Sequence, residues 1–264
     1  MTRYLTDLHI HSCLSPCGDD DMTPGNIAGM AVLNGLQIVA LTDHNTAKNC
    51  PAFFQAAKGY GLIPIAGMEL TSSEVVSSIP IAGMELTTSE DVHAVCLFRT
   101  LADALDFDRF VEERRFPIKN KPAIFGRQLL IGENDEIIGE EEILLINAVN
   151  ISLDEAHKEV TSRGGVCYPA HIDRTSNGII AMLGDFPPEP QFTAFELNDA
   201  ASLDGCRQQH PVLRERTFVH VAASDAHYLT DISEEGFPVD LDDEPYSSSL
   251  VTNRLIDYLL GKQE

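Results

Sequence analysis

Histidines recur at the ends of the strands that the sequence predicts. His9 and His11 form an H-x-H pair on one strand, and the two-residue period of a strand points both imidazoles to the same face. His44 follows a second predicted strand, and Asp225 and His227 share a face after a late one. Six of the nine histidines stand at such positions, so we expect them to meet in one pocket.

The other members of this set are Glu85 at the end of a predicted strand, His93 at the start of the next, and His171 after a later one. Neutral imidazole and carboxylate together suit zinc, manganese or iron. One such ion takes three or four protein ligands. Six histidines with Glu85 and Asp225 are too many for one ion, so two or three divalent transition metal ions bridged by carboxylates fit the count.

The elements that must position these side chains alternate along the chain. Strands are predicted at residues 5–11, 37–41, 93–98, 166–170, 192–197 and 218–223, and Thr23-Pro24 and Pro51 open the first two helices. This order predicts an α/β fold with a parallel sheet or barrel. In α/β barrels, sites are built at the rim where the strands end, which is where these residues are expected.

An internal duplication affects the third strand. The octapeptide at residues 63–70 recurs sixteen residues later at residues 79–86. Only one copy fills a given place in a sheet, and we expect the other to form a loop or to extend a neighbouring strand. The strand glutamate of the pocket is therefore either Glu69 or Glu85.

The rest of the chain completes a single predicted domain over residues 1–264. Residues 128–139 predict a hairpin, because Gly132-Glu-Asn-Asp separates two apolar runs. This hairpin lies in an expected insertion near residues 116–142, within a possible subdomain at about 101–150. The acidic stretch 231–249 is predicted to be an irregular loop, and a helix at 250–260 follows it.

Composition excludes several classes of protein. The 264 residues include 18 basic and 41 acidic ones, and a formal charge of −23 disfavours a binder of long nucleic acid or of an anionic membrane surface. Apolar runs stay below the ~18–20 residues of a membrane span, and the N-terminus lacks a signal-peptide pattern. Six cysteines are ordinary for thiols in a cytoplasmic protein. The oligomeric state is left open.

Taken in order, the motifs resemble a known family. The runs D-L-H-I-H-S, T-D-H-N, G-M-E-L, D-V-H, P-A-H and S-D-A-H are similar to those of the polymerase-and-histidinol-phosphatase (PHP) family of metal-dependent phosphoesterases. The resemblance implies a distorted (β/α)7 barrel with a metal cluster at its rim. The implied metal ligands are His9, His11, His44, Glu85, His93, His171, Asp225 and His227.

Two departures from the family pattern leave alternatives open. The family motif continues with Ser-Asp-Gly and uses that Asp as a ligand, whereas here the chain reads Ser-Pro-Cys-Gly-Asp-Asp-Asp from residue 15. Asp19 is the preferred replacement, with Cys17, Asp20 and Asp21 as alternatives. Glu85 is preferred over Glu69, because its distance of eight residues from His93 is similar to the family spacing.

Hydrolysis of a phosphate ester follows from such a cluster. Bridged cations make hydroxide available near neutral pH and neutralise charge on the phosphate. His171 and Arg174 are the predicted catalytic residues: a histidine protonates the leaving group, and a guanidinium holds phosphate through two hydrogen bonds. The alternative for Arg174 is a surface salt bridge with Asp173 or Asp185.

Asp7 and Asp43 are predicted to orient ligand imidazoles, with a backbone cap as their alternative role. The predicted activity is a metal-dependent phosphoesterase acting on a small phosphorylated metabolite or nucleotide, without long nucleic acid or membrane as a partner. The alternatives are a metal-binding regulatory or scaffold module without turnover, and a hydrolase of a non-phosphate bond.

Overall fold

A computed structural model describes residues 1–60, 78–244 and 246–262 of the chain. It is a mixed α/β structure. The strands are β1 (Thr2–Ile10), β2 (Ile38–Leu41), β3 (Ile79–Thr87), β4 (His93–Phe98), β5 (Leu129–Ile131), β6 (Ile137–Glu140), β7 (Val166–Pro169), β8 (Ala194–Leu197), β9 (Val219–Ala222) and β10 (Phe237–Leu241).

Helices connect these strands and cover the sheet. They are α1 (Pro24–Leu33), α2 (Cys50–Gly59), α3 (Leu101–Glu112), α4 (Pro122–Phe125), α5 (Leu153–Ser162), α6 (Ile179–Leu183), α7 (Leu203–Gln209), α8 (Pro211–Glu215) and α9 (Ser248–Leu259), with 3-10 turns at Ala200–Ser202 and Leu229–Asp231. The start of α1 is as predicted, since Thr23 caps it and Pro24 is its first residue. Ser152 likewise caps α5 by accepting from the Glu155 amide.

Six strands form one curled sheet in the order β10-β1-β2-β3-β4-β7. β1, β2 and β3 are parallel, whereas β4 pairs antiparallel with both β3 and β7, and β10 pairs antiparallel with β1. The predicted parallel arrangement therefore holds for β1, β2 and β3 but not for β4 and β10. The reason is local: only the short turn at residues 88–92 separates β3 from β4, and a turn of that length can join antiparallel strands alone.

Beyond the six-stranded sheet, two further strands extend its curvature toward a closed barrel. β8 and β9 form a separate parallel pair. After β9, Ala226 bridges Ile10 at the end of β1, and its carbonyl accepts from the His11 amide at 3.0 Å. The ends of β1 and β9 therefore meet at one rim. This curled sheet is consistent with a PHP-type barrel, and the predicted count of seven strand–helix units stays a prediction.

Apolar side chains cover both faces of the sheet. In β2, Ile38 and Ala40 join a core that includes Leu255 of α9, while Val39 and Leu41 join a core that includes Ile27 of α1. A strand covered on both faces reads as a continuous apolar run, which is why this strand was visible in the sequence. The rim at the strand ends is left for polar side chains.

The structure decides two further expectations and leaves one untested. The acidic stretch 231–249 is not wholly irregular, because it contains β10 and the first residues of α9. The second copy of the duplication forms β3, whereas the first copy, with Glu69, lies outside the described residues. The hairpin is present as β5 and β6.

Within the described ranges, no helix has the length and apolar character of a membrane span.

Candidate metal centre

Eight of the nine predicted metal ligands lie together at the rim. Each comes from the end or start of a strand: His9 and His11 from β1, His44 after β2, Glu85 from β3, His93 from β4, His171 after β7, and Asp225 and His227 after β9. Most of them are buried, and Glu85, His44, His93, His171, Asp225 and His227 line a cavity of about 220 Å³. Side chains separated by more than 200 residues of sequence therefore share one pocket.

Glu85 lies at the centre of the cluster. Its Oε1 atom is 2.6 Å from His93 Nδ1 and 3.1 Å from His171 Nε2, and its Oε2 atom is 2.9 Å from His44 Nδ1. The Nε2 atoms of His9 and His11 lie 3.5 and 3.4 Å from the same carboxylate. A carboxylate reached by five imidazoles can bridge two cations, each with its own histidines.

His9 and His11 face each other closely. Their Nε2 atoms are 3.1 Å apart, and Asp225 Oδ1 lies 3.4 Å from the first and 3.0 Å from the second. The Nδ1 atom of His9 bonds Glu196, and that of His11 bonds Ser15 Oγ at 2.9 Å. Since the Ser15 hydroxyl donates to Asp43, it accepts from His11, so His11 keeps its proton on Nδ1. Its Nε2 lone pair then points into the pocket.

The same tautomer is fixed at His227. Its Nδ1 atom is 2.8 Å from the Asp225 carbonyl, which can only accept, so Nδ1 carries the proton and Nε2 is free. Asp43 reaches the His11 imidazole only through Ser15, and its role in orienting a metal ligand stays a prediction. Asp7 instead accepts from the backbone amides of Ser224 and Ser233, which is the capping alternative.

Charge in the pocket keeps the carboxylates ionised. Burial opposes ionisation of Glu85, but the imidazoles of His93, His9 and His44 outweigh it and hold its pKa well below the ordinary value. Burial likewise opposes ionisation of Asp225, and His9 and His11 reverse this, so its pKa is also lowered. Both groups are therefore available as anionic ligands at neutral pH.

The imidazoles divide into two kinds. Burial disfavours the imidazolium of His9, yet Glu196, Asp225 and Glu85 outweigh it and raise its pKa well above the ordinary value. For His11, burial combined with the nearby His44 and His227 lowers the pKa well below that value. The cluster therefore contains one imidazole, His9, that is protonated more readily than a free histidine and another, His11, that is protonated less readily.

Buried polar atoms without a well-oriented hydrogen bond show that the cluster fits cations. Glu85 Oε2, Asp225 Oδ1 and His44 Nδ1 are buried and make no well-oriented hydrogen bond among the described residues, although Glu85 Oε2 and His44 Nδ1 lie only 2.9 Å apart. Buried polar atoms are normally satisfied, and a bound divalent cation would satisfy atoms that converge like these. The possible ligand atoms form three groups, and within each group all of them lie within 4.8 Å of one another. The groups are His9/His11/Glu85/Asp225, His44/Glu85/His93 and His11/His44/His227.

The ninth predicted ligand, Asp19, is not part of these groups. Its carboxylate accepts from the Asp21 amide at 2.9 Å, and only its backbone amide reaches the site, by donating to the His227 carbonyl. Cys17 lines the pocket instead. Desolvation opposes ionisation of its thiol, but the nearby imidazoles of His44 and His227 lower its pKa to about 6.

Arg174 lies at the pocket wall, but its partner differs from the two expected. Its guanidinium donates to Asp225 Oδ2 at 2.5 Å and to Asn198 Oδ1 at 2.9 Å. Asp173 caps the amides of Asn198 and Asp199, and Asp185 pairs with His210. The arginine is therefore positioned by Asp225, with part of its fork still exposed to the pocket.

Sequence reasoning missed Glu196. This residue of β8 is buried, accepts from the His171 amide at 3.2 Å and bonds His9 Nδ1 with both carboxylate oxygens. The signal was present, because a lone carboxylate stands between Phe195 and Leu197 in an apolar strand. Charged residues are rarely fully buried unless they are paired, so this one required a partner.

Two of the site residues have unusual backbone geometry. His171 and Asp225 have φ values of 27° and 50°, in the positive region that non-glycine residues rarely adopt. Such conformations concentrate at functional sites, where the surrounding structure holds them. Here they turn each side chain from its strand end into the pocket.

Comparison with known proteins identifies part of the chain. Residues 7–103 match the family described as the PHP domain. The match includes the H-x-H pair, the T-D-H-N run, Glu85 and His93, and it confirms the predicted resemblance.

Other similarities to known proteins are more distant. An uncharacterised protein of Methanocaldococcus jannaschii is 33% identical over 76 residues, which cover 26% of this chain and 44% of the relative. The lesion-specific endonuclease Q of Pyrococcus furiosus is 18% identical, with a TM-score of 0.58 over 99% of this chain and 57% of that one. Endonuclease Q in complex with a 27-mer duplex substrate that carries an abasic lesion is 19% identical, with a TM-score of 0.51 over 86% of this chain and 50% of that one. The chain thus spans about half the length of these proteins.

These comparisons correct one prediction. The expectation that the chain has no long nucleic-acid partner is wrong as an inference from charge, because a similar fold is found holding duplex DNA. The physical reason is that the net charge of −23 averages over the whole surface, whereas binding depends on the local potential around the site. Cations in the cluster would reverse that local charge.

Proposed function

We propose that this protein, whose residues 7–103 match the PHP domain, is a metal-dependent phosphoesterase. The observation that carries the proposal is the Glu85 carboxylate, reached by five imidazoles, with Asp225 beside two of them. Such a set of nitrogen and carboxylate donors suits two or three manganese, zinc or iron ions. The match to the PHP domain supports the same reading.

The ions would be held by the eight rim residues described above. Bound divalent cations supply charge neutralisation for phosphate and an activated water near neutral pH. The chain's own contribution is orientation, because Glu196, Ser15 and the Asp225 carbonyl fix the proton on Nδ1 of His9, His11 and His227. Imidazoles locked in one tautomer need no rearrangement when they bind.

Arg174 and His171 are the proposed catalytic residues. The guanidinium of Arg174 is anchored to Asp225 and Asn198, so its remaining N–H groups are positioned for a phosphate oxygen at the pocket wall. His171 also lines the pocket, with its Nε2 atom 3.1 Å from Glu85, and we propose that it protonates the leaving oxygen if it is not held by an ion.

The pocket supports a substrate with a small reacting group. Its volume of about 220 Å³ is below the range of roughly 300–1,000 Å³ that encloses a whole drug-sized ligand. A phosphoryl group fits, while the rest of the molecule extends outward. We therefore propose a phosphorylated metabolite or nucleotide as one substrate class.

A phosphodiester in DNA is the second candidate substrate. The segment 114–127 holds five of the 18 basic residues and no acidic one, and Phe116, Lys121 and Phe125 are exposed on it. Lysine for phosphates and aromatic rings for bases are the groups that bind single-stranded nucleic acid. Gly126 of this segment passes against the Pro16 carbonyl, so the surface adjoins the rim of the pocket.

Hydrolysis of a substrate panel tests these proposals. Metal-free protein is loaded with manganese, zinc or iron and given an aryl phosphate, an aryl phosphodiester, nucleotides, and single-stranded and abasic DNA. We expect release of phosphate or chain cleavage that chelation abolishes. Glu85→Gln should lose activity, whereas Glu142→Gln, on the exposed insertion, should retain it.

Two results would favour the alternatives. Full metal occupancy with no turnover on the whole panel would indicate a regulatory or scaffold module. Turnover restricted to carboxylic esters or amides in a parallel panel would indicate a hydrolase of a non-phosphate bond.

A further inference from the structure

A second cavity adjoins the metal cluster at Arg174. Its volume is about 440 Å³, and Arg174 lines both this cavity and the smaller pocket that contains the cluster. Ile172, Asp173 and Thr175, from the same loop after β7, line the second cavity but not the first. We call it the α6–α7 groove, because its other lining residues lie in α6, in α7 or directly beside α7. A molecule bound at the cluster can therefore extend past one side chain into this groove.

The face of α7 that lines the groove contains a glycine. The lining positions there are three, one and three residues apart, a spacing that places them on one face of a helix: Ser202, Gly205, Cys206 and Gln209. Glycine is among the least favourable residues inside a helix. The backbone at Gly205 is helical, and a Cβ atom added there would have no packed neighbour within 4 Å among the described residues. Packing therefore does not require this glycine, whereas its missing side chain leaves the groove open.

Apolar side chains form much of the remaining lining. Ile172 is buried, Ile180 of α6 packs against the apolar core, and Ala181 lies beside it at an exposed position. A sugar placed against these side chains would lose water from its hydroxyl groups without gaining partners. A flat ring has apolar faces, so the lining favours a ring over a sugar.

Polar groups of the groove can bond the edge of such a ring. The Nδ1 atom of His210 lies 2.6 Å from Asp185 Oδ1, and because a carboxylate oxygen accepts, this nitrogen carries a proton. The other ring nitrogen and the exposed amide of Gln209 then remain for a ligand. The carboxylate of Asp173 is already engaged, since it accepts from two backbone amides and from the Ser202 hydroxyl. Hydrogen-bonding groups with an apolar surface between them are what a nucleobase requires.

We propose that the α6–α7 groove binds the base of a nucleotide whose phosphate lies at the metal cluster. Arg174 would border both parts of this substrate, and its side chain is 40% exposed. The volume of about 440 Å³ lies within the range of roughly 300–1,000 Å³ for ligand pockets, whereas the cluster pocket alone lies below it. The inference rests on the phosphoesterase proposed above, and it narrows the small-molecule substrates to nucleotides.

Binding of nucleosides to metal-free protein tests the groove without turnover. Adenosine, uridine and ribose are titrated, and saturation-transfer NMR follows the ligand signals. We expect at least one nucleoside to bind about 10-fold or more tightly than ribose, because even one methylene group in an apolar pocket contributes a factor of roughly 10–200.

Two variants fill the groove from different helices. Gly205→Leu adds a side chain on α7 and Ala181→Leu adds one on α6, and both positions are exposed, so both proteins should fold. Each should weaken nucleoside binding by about 10-fold or more, because the new side chain occupies the space of the ring. Gln208→Leu is the matched control, since it is an exposed position of α7 that does not line the groove. In metal-loaded protein, the preference in kcat/KM for AMP or UMP over ribose 5-phosphate should fall by a similar factor in the two groove variants only.

The outcomes separate the groove from the phosphoesterase. Nucleosides that bind no better than ribose, or that bind equally to the wild type and to both groove variants, would overturn the proposal. Nucleoside binding that both groove variants lose, without turnover of any phosphate ester, would support the groove and remove the phosphoesterase. Turnover with no preference for nucleotides over ribose 5-phosphate would do the reverse. If one groove variant fails to fold, the other decides.

Discussion

Glu196 bonds His9 on the side of the ring away from the pocket, and the Nδ1 atom of His9 lies 3.0 and 3.1 Å from its two carboxylate oxygens. Both residues are fully buried, and the Nε2 atom on the other side of the ring faces His11, Glu85 and Asp225. A carboxylate in this position fixes the tautomer of a metal-binding imidazole and raises its basicity.

Replacement of this carboxylate should weaken metal binding without removing a ligand. We expect Glu196→Gln to bind the cluster metals about 10–100-fold less tightly, because the neutral amide polarises His9 less. Competition with a chromophoric chelator measures the change. Glu189→Gln, at an exposed position before Pro190, is the control and should bind as the wild type does. Equal affinity in both variants would show that Glu196 is only a packing residue.

The ion pair between Arg174 and Asp225 leads to a second prediction. Arg174→Ala should lower kcat/KM for phosphate esters by about 10–100-fold, because a charge-assisted hydrogen bond is worth roughly 1.5–3 kcal/mol. Metal content should stay unchanged, since the arginine is not a ligand. Lysine cannot reproduce the fork that reaches Asp225 and Asn198, so Arg174→Lys should recover little activity.

The control for this prediction is Arg214→Ala, on the exposed face of α8. Steady-state kinetics with parallel metal analysis separates the two effects. Loss of metal in Arg174→Ala would mean that the arginine acts by positioning Asp225 rather than by contacting phosphate.

Much of the rim could be predicted from the sequence because strand geometry is local. The two-residue period placed His9 and His11 on one face, and strand ends located His44, Glu85 and His171. The structure brings these side chains together as expected. Assignment of each as a ligand remains a prediction, which metal analysis of the variants can test.

Other features depend on contacts that no local pattern reports. The pairing of β10 with β1 joins residues about 235 positions apart. The sequence of β10 does not show a strand pattern, because acidic residues and Pro238 interrupt its apolar residues. The antiparallel position of β4 follows from the turn before it rather than from its own residues. The direction of the Asp19 side chain is set by the Asp21 amide, which spacing from the H-x-H pair could not reveal.

Removal of metal should lower the stability of the fold. Without cations, the buried Glu85 Oε2, Asp225 Oδ1 and His44 Nδ1 make no well-oriented hydrogen bond among the described residues. Metal at 100 times its Kd should stabilise the protein by about 2.7 kcal/mol per ion. Thermal unfolding of chelated and reloaded protein measures this.

Glu85→Gln separates the metal effect from a general effect of ions. The variant loses the carboxylate shared by two of the groups of ligand atoms, so metal should raise its Tm much less than that of the wild type. Glu142→Gln should respond fully. An equal rise in all three proteins would show that stabilisation comes from elsewhere on the surface.

The last prediction concerns pH and the strand pair that the sequence did not reveal. Asp243, just after β10, accepts from Tyr4 Oη at 2.8 Å and from Thr2 Oγ1 at 2.9 Å on β1. The hydrogen bond from Tyr4 outweighs the effect of burial and holds the pKa of Asp243 below its ordinary value of 3.8. A lowered folded-state pKa contributes stability that is present above the unfolded value and is lost as the pH falls through the folded one.

Comparison of the metal-free wild type with Asp243→Asn isolates this contribution. We expect the variant to be less stable by about 1 kcal/mol at neutral pH, and the difference to shrink as the pH falls below about 4, where the wild-type carboxylate takes up a proton. Urea unfolding at a series of pH values measures both. Asp242→Asn, at the exposed neighbouring position, is the control. A difference that stays constant down to pH 2 would show that Asp243 joins β10 to β1 through its shape rather than its charge.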